Sequence, residues 1–322
     1  MKNDRIVFIT ILLLAVFVVF PTYAKDASDL ETIIEGANIG DMLVTSGKGN
    51  LVFEYTRIDS LSKKAIGIDK EFLLKALPGT KVVTNNHEYI EIFYAFDGKK
   101  IRCNENSHNL LPPGVRYTRN WQWTYNGEKM DLLRLDGLGH NDLVKPMGST
   151  RTDNDIPVNR YDPRYNGLNI SGTPVSSFLR GSFDGKKISD LRIIGEEIQD
   201  DLLCKVIRGQ TETGDIITVW LAPRLMYRPK HIEIRSSYNE ITVIHNTFKE
   251  LNKSWFPQKI TKEEYYSDDN TGKKVLYTRE TILIQSDFEI NIALSNSLFE
   301  AKFPRGLTVY DYRTGERFEI DK

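Results

Sequence analysis

The sequence predicts a mainly β protein of the α+β kind: one strongly curved antiparallel sheet with a few helices over its concave face. Three observations carry this. Apolar and polar residues alternate with period two over most of residues 50–320. Asp-Gly and Asn-Gly turns punctuate the alternation. Helical periodicity is scarce, so a sheet of this many strands must curl or close, and the helices must cover its inner side.

Before the sheet, Lys2 and Arg5 precede an apolar run from Ile6 to Phe20, followed by Pro21-Thr22-Tyr23-Ala24. A charged start, an apolar stretch and small residues at the −3 and −1 positions read as a secretory signal cut after Ala24. The alternative is an uncleaved anchor, for which the run is short against the roughly 20 residues a membrane span needs. Residues 25–322 are then a single exported domain, periplasmic in a two-membrane bacterium. Next comes a helix. Ser28 and Glu31 have capping-box spacing, and Leu30, Ile33, Ile34, Ala37 and Leu43 recur at helical intervals. Gly36 and Gly40 weaken it, and Gly47-Lys48-Gly49 ends it.

Strands follow. Leu51, Phe53 and Tyr55 alternate with Val52, Glu54 and Thr56, and Ile90, Ile92, Tyr94 and Phe96 alternate with their neighbours. Asp97-Gly98, Asn126-Gly127 and Asp184-Gly185 each follow an aromatic residue and precede a Lys or Glu and then a Lys, the chemistry of a type I′ hairpin turn. An irregular stretch lies at 104–114. Residues 138–172 hold Pro146, Pro157 and Pro163 among many Asp, Asn and Gly, and read as a long surface insertion. Thr173-Pro174 opens a short helix through Leu179. Strands are then expected at 188–195, 202–209, 215–221, 230–238, 241–250, 255–266 and 274–285, joined by short turns.

Composition excludes several functions. Of 322 residues, 43 are Lys or Arg and 44 are Asp or Glu, giving a formal net charge of -1. That balance lacks the basic excess of a nucleic-acid footprint. The sequence has no HExxH, GxSxG, P-loop or GxGxxG, so no catalytic residue, metal or cofactor is expected. His140 beside Asp142 is the nearest thing to an acid–histidine pair on a loop. The acidic clusters Asp153-Asn154-Asp155 and Asp268-Asp269-Asn270 lack the calcium-loop pattern. An oxidising compartment allows Cys103 and Cys204 to pair, which would contribute roughly 4–5 kcal/mol by the chain-entropy estimate. The alternative is two buried free thiols.

The last third carries a run of short phrases. Trp220-Leu221-Ala222-Pro223 precedes Arg228-Pro229 and Ile232-Glu233-Ile234. Trp255-Phe256-Pro257 leads into Lys259-Ile260-Thr261. Leu298-Phe299, Phe303-Pro304-Arg305-Gly306, Val309-Tyr310-Asp311 and Thr314-Gly315 close the chain. Together they resemble the LolA-like superfamily of bacterial outer-membrane lipoprotein-sorting proteins, in particular its larger exported members. The resemblance implies an unclosed β-barrel with helices as a lid over an apolar cavity. It also implies a lipid or lipoprotein acyl chain as ligand, with inner- or outer-membrane proteins as donor or acceptor. Phe53, Tyr55, Tyr94, Trp121, Trp123, Trp220, Phe248, Trp255 and Phe256 are the candidates for cavity lining; each could instead be core packing. Trp121 and Trp123 share one face of a strand. The alternative function is an extracytoplasmic sensor or protein-interaction module on the same scaffold with no carried ligand. A filled interior would favour it.

Overall fold

A computed structural model describes residues 29–58, 85–111, 115–135, 147–151, 160–267 and 274–321. The proposed signal, both acidic clusters and His140 lie outside them. The first element is helix α1, residues 29–42. Strand β1 (Ser46–Ile58) follows, then β2 (Asn85–Asp97), β3 (Lys100–Leu111), β4 (Val115–Tyr125), β5 (Met130–Arg134) and β6 (Met147–Arg151). Helix α2 (Val175–Leu179) leads into β7 (Ser182–Phe183), β8 (Lys186–Gln199), β9 (Leu202–Thr211), β10 (Ile216–Ala222) and β11 (Arg228–Arg235). The chain continues through β12 (Glu240–Leu251), β13 (Ser254–Ser267), β14 (Lys274–Ile284), β15 (Glu289–Ile290), β16 (Thr308–Asp311) and β17 (Glu316–Glu319).

Among the described residues these seventeen strands form one ladder. From β17 the ladder runs through β16, β6, β5, β4, β3, β2 and β1. From β1 it crosses to β14 and descends through β13, β12, β11, β10, β9 and β8 to β7, with β15 also on β1. Among the described pairings only β6 with β16 is parallel. No described pairing joins the two ends, so the sheet is curved but not closed, as the sequence predicts. The seven strands expected between 188 and 285 are all present.

The turns differ in detail. Asp184 and Gly185 both have positive φ (49° and 73°) and make the expected type I′ turn. In the first hairpin Asp97 pairs with Lys100, so the centre is Gly98-Lys99. In the second, Asn126 Oδ1 accepts from the Glu128 and Lys129 amides inside a longer loop. Asp200-Asp201 and Asn252-Lys253 take positive φ at both positions without glycine, because Asp and Asn tolerate the left-handed region better than most residues.

Two expectations fail. The 104–114 stretch is largely strand, since β3 runs through Leu111. Within the 138–172 stretch, the described residues 147–151 and 160–172 are not a surface excursion: β6 sits inside the ladder, and Tyr161, Leu168 and Ile170 are buried in the main core. Its apolar residues are too few to show a period, yet the inner face of the sheet buries them. Of the two alternatives for the cysteines, the buried free thiols are the one found. Both thiols are free and buried, Cys103 on β3 and Cys204 on β9, with seven strands between them in the ladder. Cys103 faces inward with the main core and Cys204 faces outward with Ala222 and Leu225.

Segment 160–181 and α1 cover the inner face. Ile33, Ile34 and Ala37 of α1 join Leu168, Ile170, Val175, Phe178 and Leu179 against the sheet. The two glycines of α1 are contact points. A Cβ on Gly36 would lie 2.4 Å from the Tyr227 ring, and one on Gly40 would lie 2.7 Å from the Met226 carbonyl oxygen. The Met226-Tyr227 turn, with positive φ at both residues, is thereby held against the helix.

Helix propensity alone makes Gly→Ala stabilising by up to about 1 kcal/mol. Gly40→Ala should do the opposite here, lowering stability by about 1–3 kcal/mol because the clash is with backbone. A lower urea midpoint at unchanged slope is the expected reading; a raised midpoint would show that the turn does not depend on this approach.

Candidate functional site

Residues directly opposite in the ladder share a face, so the register maps the inner surface. Over β9 to β14 and most of β1 and β2 that surface is closed. Phe53, Ile90, Ile92, Tyr94, Ile207, Val219, Ile232, Ile244, Phe256, Ile260 and Ile282 pack in one cluster with α1 and segment 160–181. Towards the ends of β1, β4, β5, β13 and β14 the surface turns polar and aromatic.

One side of this open end is built on β1, β14 and β13. Tyr55 faces Glu280, which faces Lys262; Arg57 faces Thr278, which faces Glu264. Arg160, from the covering segment, reaches down to Glu280 with Nε and Nη2 at 3.1 and 2.9 Å. Its guanidinium lies 4.4 Å from the Phe53 ring centre and 4.8 Å from that of Tyr55. Lys262 Nζ is 2.7 Å from Glu264 Oε1, and Thr278 donates to Glu264 Oε2 at 2.7 Å. Burial alone would raise the Glu264 carboxyl, but Lys262 and the hydroxyl donors hold it below the usual range. A bulge at Glu264/Tyr265 puts Tyr277 beside Glu264; burial first and that carboxylate second raise its phenol.

The other side is built on β3 to β6. One row runs Glu105–Trp121–Arg134–Met147 across the strands. Its neighbour runs Cys103–Trp123–Leu132–Ser149 and continues to Tyr310 on β16 and Arg317 on β17. Trp123 donates its indole N–H to buried Glu105 at 2.9 Å and meets Trp121 edge-on at 5.9 Å. Arg134 lies 5.5 Å from the Trp121 ring centre.

At the β2–β3 turn, away from the open end, an ionic clamp fixes the covering segment. Arg164 grips Asp162 through Nε and Nη2, donates to the Gly98 carbonyl at 2.8 Å and lies 4.0 Å over Phe96. Burial would lower the Arg164 pKa, but Asp162 outweighs it and raises it. Tyr94 and Cys103, both fully buried, are pushed well up by desolvation and then by nearby carboxylates. Both stay protonated at neutral pH, so neither is an activated nucleophile.

The structure sorts the proposed lining residues. Phe53, Tyr94, Trp123 and Phe256 are buried on the inner side as core. Tyr55 and Trp121 are half-buried at the open end. Trp220 and Trp255 are corrected: they pack with Cys204, Ala222 and Leu225 on the outer face. Trp220 alternates with inward Val219 and Leu221, donates to Glu197 at 2.7 Å and meets His231 edge-on. Phe248 touches both clusters. Sequence reasoning passed over Arg134, Arg160, Asp162, Arg164, Glu264 and Glu280. The Arg160-Tyr161-Asp162-Pro163-Arg164-Tyr165 alternation was an available signal for the clamp.

No family model matches the sequence, and no curated protein matches it. Solved structures similar to this chain include a DUF1329 family protein from Desulfovibrio piger. It is 11% identical, with a TM-score of 0.41, covering 84% of this chain and 97% of its own. Another is MucB, solved in complex with MucA(peri), 8% identical with a TM-score of 0.21, covering 82% of this chain and 100% of its own.

The Glu264 geometry sets a pH dependence. A carboxyl whose folded pKa is depressed stabilises the fold above its unfolded value and loses that contribution as pH falls through the folded one. Glu264→Gln should cost about 1 kcal/mol at neutral pH. It should also flatten the loss of stability between about pH 5 and pH 3 in urea titrations. An unchanged acid limb would show that Lys262 and Thr278 do not hold the carboxylate.

Proposed function

We propose that the chain is an exported, non-enzymatic binding protein that holds the apolar chain of an amphiphile, a lipid or lipoprotein acyl chain, at the open end of its concave face. One observation carries this reading. Where the packed core stops, the inner surface continues as half-buried aromatic rings, Tyr55 and Trp121, flanked by charged groups. Such a surface suits a ligand with an apolar body and a polar head. Each methylene taken from water contributes about 0.8 kcal/mol. A surface that the described residues cover on one side only keeps that gain moderate, so the ligand can leave for an acceptor at either membrane. The phrases in 220–315 that resemble lipoprotein-sorting proteins, and the signal-like residues 1–24, support the same reading. The interaction-module reading has one observation in its favour: segment 160–181 fills the inner face over β9 to β14.

The tryptophans test it. Phospholipid vesicles with brominated acyl chains should quench the fluorescence of the protein. Quenching should persist in Trp220→Phe/Trp255→Phe, whose remaining indoles are on the inner face, and vanish in Trp121→Phe/Trp123→Phe. Quenching confined to Trp220 and Trp255, or none at all with every variant folded by circular dichroism, would sink the carrier reading and leave the interaction module.

A further inference from the structure

The inner face does not end at β5. Past Arg134 and Leu132 both rows reach β6, at Met147 and Ser149, and the second continues to the C-terminal hairpin, β16 and β17. There they meet a groove of about 870 Å³, lined by Leu135, Met147, Pro304, Arg305, Tyr310, Tyr312 and Arg317 among others. Two properties of this groove are unusual together. Its wall is apolar and open to water: Leu135 is 38% exposed, Met147 50% and Tyr312 61%. Its charges are of one sign, from two exposed guanidiniums that form no ion pair among the described residues. Arg317 lies 5.6 Å from the Tyr310 ring centre, and Tyr310 meets Tyr312 edge-on at 4.4 Å. Glu319, opposite Thr308, borders the groove without being part of its lining.

Resting on the carrier reading, we propose that this groove seats the head of the amphiphile and selects an anionic phospholipid. Three arguments converge on that occupant. The groove is continuous with the tryptophan rows, since Met147 is two strands from Trp121, about 10 Å. Its free cations are guanidiniums, whose planar fork matches the oxygens of a phosphodiester. Its apolar wall would meet the first methylenes of the acyl chains beside that head. An acidic protein segment would use the arginines but would leave Leu135, Met147 and Tyr312 in water.

The test compares brominated phosphatidylglycerol with brominated phosphatidylcholine in vesicles, read by tryptophan quenching. The wild-type protein should bind the anionic lipid more tightly, and less so as salt is raised. Arg305→Glu/Arg317→Glu should weaken phosphatidylglycerol binding by about 10- to 30-fold and leave phosphatidylcholine unchanged. Both arginines are exposed, so the variant should fold as the wild type does. Equal affinity for the two lipids in wild type, or a preference that survives the double reversal, overturns head-group selection while acyl binding stands. Quenching by neither lipid defeats the carrier reading and this one with it. A poly-glutamate peptide that binds the wild type and displaces phosphatidylglycerol would assign the groove to an acidic protein and overturn the lipid assignment.

Discussion

A curled sheet without a second sheet opposite must find cover for its apolar inner face, and the rest of this chain depends on how that is done. A half-exposed layer of Ile, Val and Phe of this size would not stay soluble. Among the described residues two short pieces supply the cover: α1 from before the first strand, and segment 160–181 from the middle of the chain. Neither is long enough to be stable alone, so each is held by specific contacts as well as by burial.

Those contacts are costly ones. At the end of α1, buried Arg228 donates to the Gly40 carbonyl and lies 3.7 Å from Asp41, which accepts the Ser176 amide of α2 at 3.2 Å. Burial pulls the Arg228 guanidinium down to about 10 and pushes the Asp41 carboxyl up, so desolvation works against the charge on both partners. A buried pair of this kind adds little net stability, yet losing one partner strands the other. Its value lies in position. It ties the C-terminal end of α1, where a cation also suits the helix dipole, to α2 and β11 at one point. The Asp162–Arg164 clamp does the same at the β2–β3 turn.

The strands from 186 to 284 were legible because each alternates cleanly and each turn is short. What alternation gives is two faces; it does not say which one is inner. Trp220 and Trp255 were misassigned for that reason, and register breaks at Trp220/Leu221 and Thr247/Phe248 complicate the assignment further. β6 was invisible because Met-Gly-Ser-Thr-Arg carries no apolar pattern. Ser149 and Thr150 are buried by neighbours that come from β5 and from the far C-terminus, a long-range arrangement that no local window contains. The covering segment was missed on the same ground, since its few apolar residues are defined by the cavity they fill. Of the candidate site, the aromatic residues could be named in advance and their charged partners could not. A guanidinium over a ring is a meeting of elements far apart in sequence, as with Arg160 and Phe53.

The pairing of aromatic rings with guanidiniums recurs across the open face and bears on how a ligand would exchange. Arg134 lies by Trp121, Arg151 lies 5.5 Å from the Tyr312 ring centre, and Arg317 lies by Tyr310. A ring covered by a guanidinium is partly shielded from water while staying accessible, because the cation–π contact contributes only about 0.5–1 kcal/mol at an exposed site. On the proposed carrier reading, an acyl chain would displace such contacts one at a time, gaining apolar burial with each. The covered half of the sheet cannot yield in this way. Opening it would expose the Arg228–Asp41 pair and the Asp162–Arg164 clamp together with the core beneath them. On that reading the locked half is the one that buries the Arg228–Asp41 pair and the Asp162–Arg164 clamp.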